Sequence, residues 1–131
     1  MENKPISKIL KYTFLISGTA ALIFGFTFLF LTEVYLNLIS WTFYDPTVSR
    51  ILGAALIGLW VLQWLSSRES EWQNVKNIVI MMIVWHLIGG FACLICQFIF
   101  NLPIANWLHT IVLFLFLFAY VFSYYVEKKY R

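Results

Sequence analysis

Charged side chains are scarce in this chain. Lys and Arg number 9 and Asp and Glu 6 among 131 residues, so only 11% are charged, against roughly 25% in a soluble domain. That shortage leaves no room for a separate water-facing domain. The net charge is +3, accounted for by short basic flanks beside apolar segments, so no nucleic-acid partner is expected. There are 2 Cys and 2 His. Two histidines without carboxylates at the same level make a poor metal site. A haem held by both is also disfavoured, because on helices they sit roughly 9 Å apart in depth. No metal or cofactor is therefore expected. A phosphate-binding loop, a nucleophile elbow and a metalloprotease helix motif are all missing, so no residue is assigned as catalytic.

What the chain has instead is hydrocarbon: 62% hydrophobic and 20% aromatic residues. Four apolar runs of about 20 residues are each long enough for a membrane span. They predict spans at residues 9–31, 46–65, 74–100 and 104–126 within a single transmembrane domain, an all-α antiparallel four-helix bundle. Residues 12–31 are too long for the apolar core of a signal peptide and end in no small-x-small site, so the first run is expected to be retained as a span.

The basic residues set an orientation. Lys4, Lys8, Lys11, Arg68, Lys76, Lys128, Lys129 and Arg131 fall on one side of a four-span arrangement, and Arg50 alone on the other. The positive-inside rule then places both termini and the 66–73 hinge in the cytoplasm, with the plasma or inner membrane as location.

Residues 33–45 are too apolar for a free aqueous loop. Tyr35, Trp41, Phe43 and Tyr44 suit the headgroup layer, so this segment is expected to lie on the interface and roof the bundle. Asp45 and Pro46 predict a capped start for the second span. Small residues (Ser17, Gly18, Ala21 and Gly25 in the first span, Gly53 with the Ala54–Gly58 pair in the second) mark expected close helix contacts. Trp72 and Trp107 are expected at the two membrane borders. In the fourth span, Phe114, Phe116, Phe118 and Phe122 are expected to face lipid. Asn106, Thr110, Leu113, Leu117, Tyr120 and Tyr124 form the opposite stripe.

The polar stripe His86, Gly90, Cys93, Gln97 in the third span repeats at i, i+4, i+7 and i+11, one face of a helix. A His near the bilayer centre is costly unless received by a partner. It reads either as a structural His bonded to a carbonyl or hydroxyl, or as a relay or ligand-binding group. Arg50 reads as a snorkelling side chain paired with Glu33 or Asp45, or as an anchor for a ligand. At about 1.5 Å per residue, Arg50, Gln97, Asn106, His109 and Glu33 collect in the outer half, while the inner half has mainly Gln63, Ser17 and Thr13. The candidate ligand-binding set is therefore Arg50, His86, Gln97, Asn106, His109 and Glu33, around a small, partly polar cavity beneath residues 33–45. Cys93 and Cys96 form a C-x-x-C spacing. They read as packing thiols or as a redox pair, although a membrane thiol oxidoreductase needs a second relay that two cysteines alone do not supply.

The run RILGAALIG from Arg50 to Gly58, opening the second of four short spans, resembles a pattern in small four-helix membrane families, the DoxX-like group among them. The resemblance covers this stretch and the hydropathy profile. Some of that group are small subunits of quinone-coupled oxidoreductases. It implies an accessory or small-ligand role and carries over no catalytic residue. The first expectation is thus a non-enzymatic membrane protein, either an accessory subunit of a complex or a binder of a lipid-like or quinone-like ligand. The alternatives are a thiol-redox protein using Cys93 and Cys96, and a small oligomeric transporter or channel with His86 and Arg50 on its path. The expected partners are the lipid bilayer and another membrane protein or further copies of the chain.

Overall fold

A computed structural model describes residues 5–129. Lys4 and Arg131, two of the residues used for the orientation argument, lie outside the described residues. The order is α1 (Lys8–Phe30), α2 (Thr32–Leu38), α3 (Pro46–Arg68), α4 (Trp72–Phe100) and α5 (Ala105–Lys129). Apart from α2, each helix is long and apolar enough to cross a membrane. The 29 residues of α4 rise about 44 Å, more than a hydrocarbon core of about 30 Å requires.

Local chemistry sets the helix ends. Ser7 caps α1, its hydroxyl accepting from the Leu10 amide at 3.2 Å. Asp45 caps α3 by accepting from the Thr47 and Val48 amides at 2.8 and 2.9 Å, with Pro46 in the first turn as expected. The third helix runs three residues past its expected end. Ser66 and Ser67 turn their hydroxyls back onto the Leu62 and Trp64 carbonyls, both at 2.7 Å, so polar residues continue the helix. Asn101 stops α4 in the left-handed region at φ 47°. In that conformation Asn is among the most tolerant non-glycine residues.

The helices associate as two close pairs, α1 with α3 and α4 with α5. Contact between α1 and α5 joins them, whereas α3 and α4 approach closely at few points despite being consecutive. The α1–α3 crossing is built on Gly25 and Gly53. A Cβ added to Gly53 would stand 2.6 Å from the Leu29 amide nitrogen, and one on Gly25 would stand 3.0 Å from the Gly53 carbonyl. Backbone therefore packs on backbone there. The Ala54–Gly58 pair does not make this contact. Both residues are exposed, and a Cβ on Gly58 would meet nothing.

Polar contacts tie the helix ends together. At one end Ile6 N–H donates to the Ser70 carbonyl at 2.9 Å, Pro5 bridges Glu71, and the Ser7 amide donates to buried Glu127 at 2.6 Å. At the other, Glu33 meets Arg50, Tyr35 meets His109, and Phe43 packs edge-on against Phe100. Between them, Leu10, Phe14, Val75, Val79, Met82 and Tyr120 form the apolar core. Trp72, the first residue of α4, belongs to this core at 6% exposure, its ring packed against Tyr124.

The distribution of polarity is inverted relative to a water-soluble fold. Among the described residues, buried polar side chains are as numerous as buried apolar ones, while Ile16, Leu38, Phe98, Ile104 and Phe118 lie outward. That is the economical arrangement in hydrocarbon, where polar groups need internal partners. Phe118 and Phe122 face outward as expected. Phe114 and Phe116 do not: the Phe114 ring covers the bare Cα of Gly90, and Phe116 packs on His86.

Candidate ligand-binding cavity

Because α3 and α4 diverge, a cavity of about 440 Å³ remains between the two helix pairs, within the usual range for small-molecule sites. Its walls are mainly apolar: Phe24 from α1, Leu52, Leu56 and Leu59 from α3, Met82 and Trp85 from α4, Phe116 from α5. Leu36 of α2 and Trp41 and Phe43 of the following segment also line it. The stretch of α3 that lines it, from Ser49 to Gln63, covers about 21 Å of helix. The site is long rather than round.

Two polar clusters lie along it. Near the roof, His109 sits among Phe24, Tyr35 and Trp41, with ring centroids 5.5 to 6.3 Å away. Its Nε2 is 2.7 Å from the Tyr35 hydroxyl. Deeper, the His86 ring stacks on Tyr120 at 5.5 Å. His86 Nδ1 is 2.6 Å from the Met82 carbonyl. A carbonyl only accepts, so Nδ1 carries the proton and the neutral ring offers an acceptor at Nε2. Tyr120 donates its hydroxyl to Gln63 Oε1 at 2.6 Å. The Gln63 side chain is fully buried and lines the cavity, and its Nε2 has no hydrogen-bond partner among the described residues. An unpartnered buried amide is costly.

The sequence-derived set divides accordingly. His86, Asn106 and His109 line the cavity, as does Cys93. Gln97 and Asn106 hold the α4–α5 turn. Gln97 donates to the Leu102 carbonyl at 2.9 Å, and Asn106 gives its amide hydrogens to Gln97 Oε1 and the Cys93 carbonyl at 2.9 and 3.0 Å. Both thiols are free. Arg50 and Glu33 stand away from the lining, joined at 2.7 Å, with the Tyr44 hydroxyl donating to the same carboxylate oxygen at 2.8 Å. The Arg50 hydrogen bond and then that of Tyr44 hold the Glu33 carboxyl down at about 2. Burial, then the neighbouring carboxylate, pushes the Tyr44 hydroxyl up, and burial does the same to Tyr35. This triad fastens α2 and the roof segment to the start of α3.

Gln63 was absent from the sequence-derived candidates. A signal existed: Gly53, Leu56, Trp60 and Gln63 follow i, i+3, i+7, i+10 spacing, the seam that faces a neighbouring helix. Extending the glycine contact along that seam leads to Gln63, whose Cβ lies 3.3 Å from the position a Cβ on Gly18 would take.

No protein-family model, curated protein or solved structure matches the chain. The functional reading rests on the geometry of the cavity.

Proposed function

We propose that this chain is a non-enzymatic integral membrane protein that binds a lipid-like or quinone-like molecule in the cavity between its helix pairs. It crosses the membrane four times as an antiparallel bundle with both termini cytoplasmic. In this role it presents or stores an apolar molecule, alone or as an accessory subunit of a membrane complex. The carrying observation is the elongated apolar cavity with Gln63, His86 and His109 on its wall. Apolar walls with a few placed polar groups are the usual make-up of small-molecule sites. Trp41 and Phe43 line the cavity beside α2, and α3 and α4 approach closely at few points, so in this reading a ligand enters from the bilayer along the α3–α4 seam.

The test is native mass spectrometry of protein extracted with its surrounding lipids. A co-purifying apolar molecule that survives stripping of loosely held lipid is expected. Bare protein after gentle extraction argues against the reading. Reporter fusions at each terminus test the topology: both are expected to report the cytoplasm, and opposite sides for the two ends contradict four spans.

A thiol-redox reading has one observation in its favour, the position of Cys93 on the cavity wall. It requires Cys93 and Cys96 to form a disulfide, releasing two protons and two electrons to a bound quinone-type acceptor. Thiols that stay reduced when an oxidised quinone is added remove it.

A further inference from the structure

The deep end of the cavity specifies the chemistry of what it holds. Gln63 is fully buried, its Oε1 is used by Tyr120, and its Nε2 has no partner among the described residues although the side chain lines the cavity. That nitrogen is a buried donor with no acceptor of its own, on a side chain of the cavity wall. His86 supplies the opposite character. With its Nδ1 proton committed to the Met82 carbonyl, the neutral ring has a lone pair at Nε2 and no proton there. Tyr120 touches both residues, stacking on the His86 ring at 5.5 Å and bonding Gln63 at 2.6 Å. A donor and an acceptor, each on a residue in contact with Tyr120, therefore belong to the wall of one apolar cavity.

A carbonyl matches only the donor, and an ether likewise. A hydroxyl satisfies both: its oxygen accepts from Gln63 Nε2–H while its proton goes to His86 Nε2. We propose that the cavity selects an elongated apolar alcohol, with the hydroxyl seated between Gln63 and His86 and the hydrocarbon body extending toward Trp41. A quinol ring and a terpenoid alcohol both present this chemistry. The proposal rests on the ligand-binding reading above and narrows it from apolar molecules in general to hydroxyl-bearing ones.

Trp41 and Trp85 line the cavity, so intrinsic tryptophan fluorescence reports occupancy of full-length protein in nanodiscs. The probes are decylubiquinol with decylubiquinone, and geranylgeraniol with its methyl ether. At least one alcohol is expected to bind about tenfold tighter than its hydroxyl-free partner, the scale of one well-made buried hydrogen bond. The alcohol that binds more tightly names the source. His86→Leu is expected to remove that preference while leaving the hydroxyl-free probe bound, whereas Gln63→Leu is expected to weaken each alcohol and its hydroxyl-free partner alike and to leave the preference in place. His86→Leu serves if Gln63→Leu does not fold, since it leaves the Tyr120–Gln63 bond in place. Equal binding of each alcohol and its partner overturns the hydroxyl proposal and leaves the ligand-binding reading standing. If no probe binds, both fail.

Discussion

Tyr120 and Gln63, 57 positions apart, share a fully buried hydrogen bond of 2.6 Å that joins α5 to α3 across the helix pairs. Little else connects these two helices at that depth, and the bond takes up the Gln63 carbonyl oxygen while the amide nitrogen keeps no acceptor among the described residues.

Tyr120→Phe is expected to cost about 1–2 kcal/mol, because the Gln63 amide then loses its remaining partner. In the double variant with Gln63→Leu both polar groups are gone, and the loss is expected to be smaller than the two single losses added together. Thermal unfolding in one detergent measures all three proteins. Strict additivity contradicts coupling through this bond.

Gly53 and Gly58 are five positions apart in one helix and opposite in consequence. Gly53→Ala places a methyl group 2.6 Å from backbone nitrogen, and the α1–α3 pair must separate, at about 1–3 kcal/mol. Gly58→Ala meets nothing and is expected to be neutral or to gain up to about 1 kcal/mol from helix propensity. The comparison is made by unfolding under matched conditions. Equal effects contradict the crossing described here.

The Glu33–Arg50 pair has a defined pH window. Glu33 titrates at about 2 in the folded chain against an ordinary 4.5. A depressed carboxyl contributes stability above 4.5 that is lost as pH falls toward 2. The roof fastening is therefore expected to be intact at pH 5 and to weaken only below about pH 4. The carboxyl carbon shift of Glu33, followed by NMR against pH, reads this directly. A midpoint near 4.5 contradicts the three-residue contact. The side chains are half exposed, at 42% and 50%, so the effect on global stability is expected to be small.

Cys93→Ser and Cys96→Ser, singly and together, are expected to leave ligand retention unchanged. Cys93 contributes wall area, and its backbone carbonyl, which Asn106 uses, is preserved in the variant. Loss of retention in Cys93→Ser alone with unchanged stability favours the thiol-redox reading.

Much of the architecture was legible because lipid imposes simple rules. Length and hydropathy locate four long helices, and Asp45 and Pro46 locate the start of α3 to the residue. The stripe of His86, Gly90, Cys93 and Gln97 was readable from helical period alone; three of these residues are buried and Cys93 is half-buried. Partners were less accessible. Arg50 had two carboxylates in reach by sequence, and only the fold of α2 selects Glu33. Phe114 and Phe116 read as lipid-facing from bulk, but Gly90 and His86 on the facing helix create places for their rings. Gln63 was hidden for a related reason. Its importance lies in being unpartnered, which depends on where Tyr120 and the α3–α4 gap fall, and no periodicity encodes a gap.

The most direct measurement of the central claim is the mapping of a diazirine-bearing long-chain alcohol crosslinked to the protein in nanodiscs. The account predicts adducts on the cavity wall, at Leu56, Leu59, Trp85 and Phe116, that disappear when unlabelled alcohol is in excess. Adducts confined to outward residues such as Ile88, Leu115 and Phe118, and insensitive to competition, would contradict it.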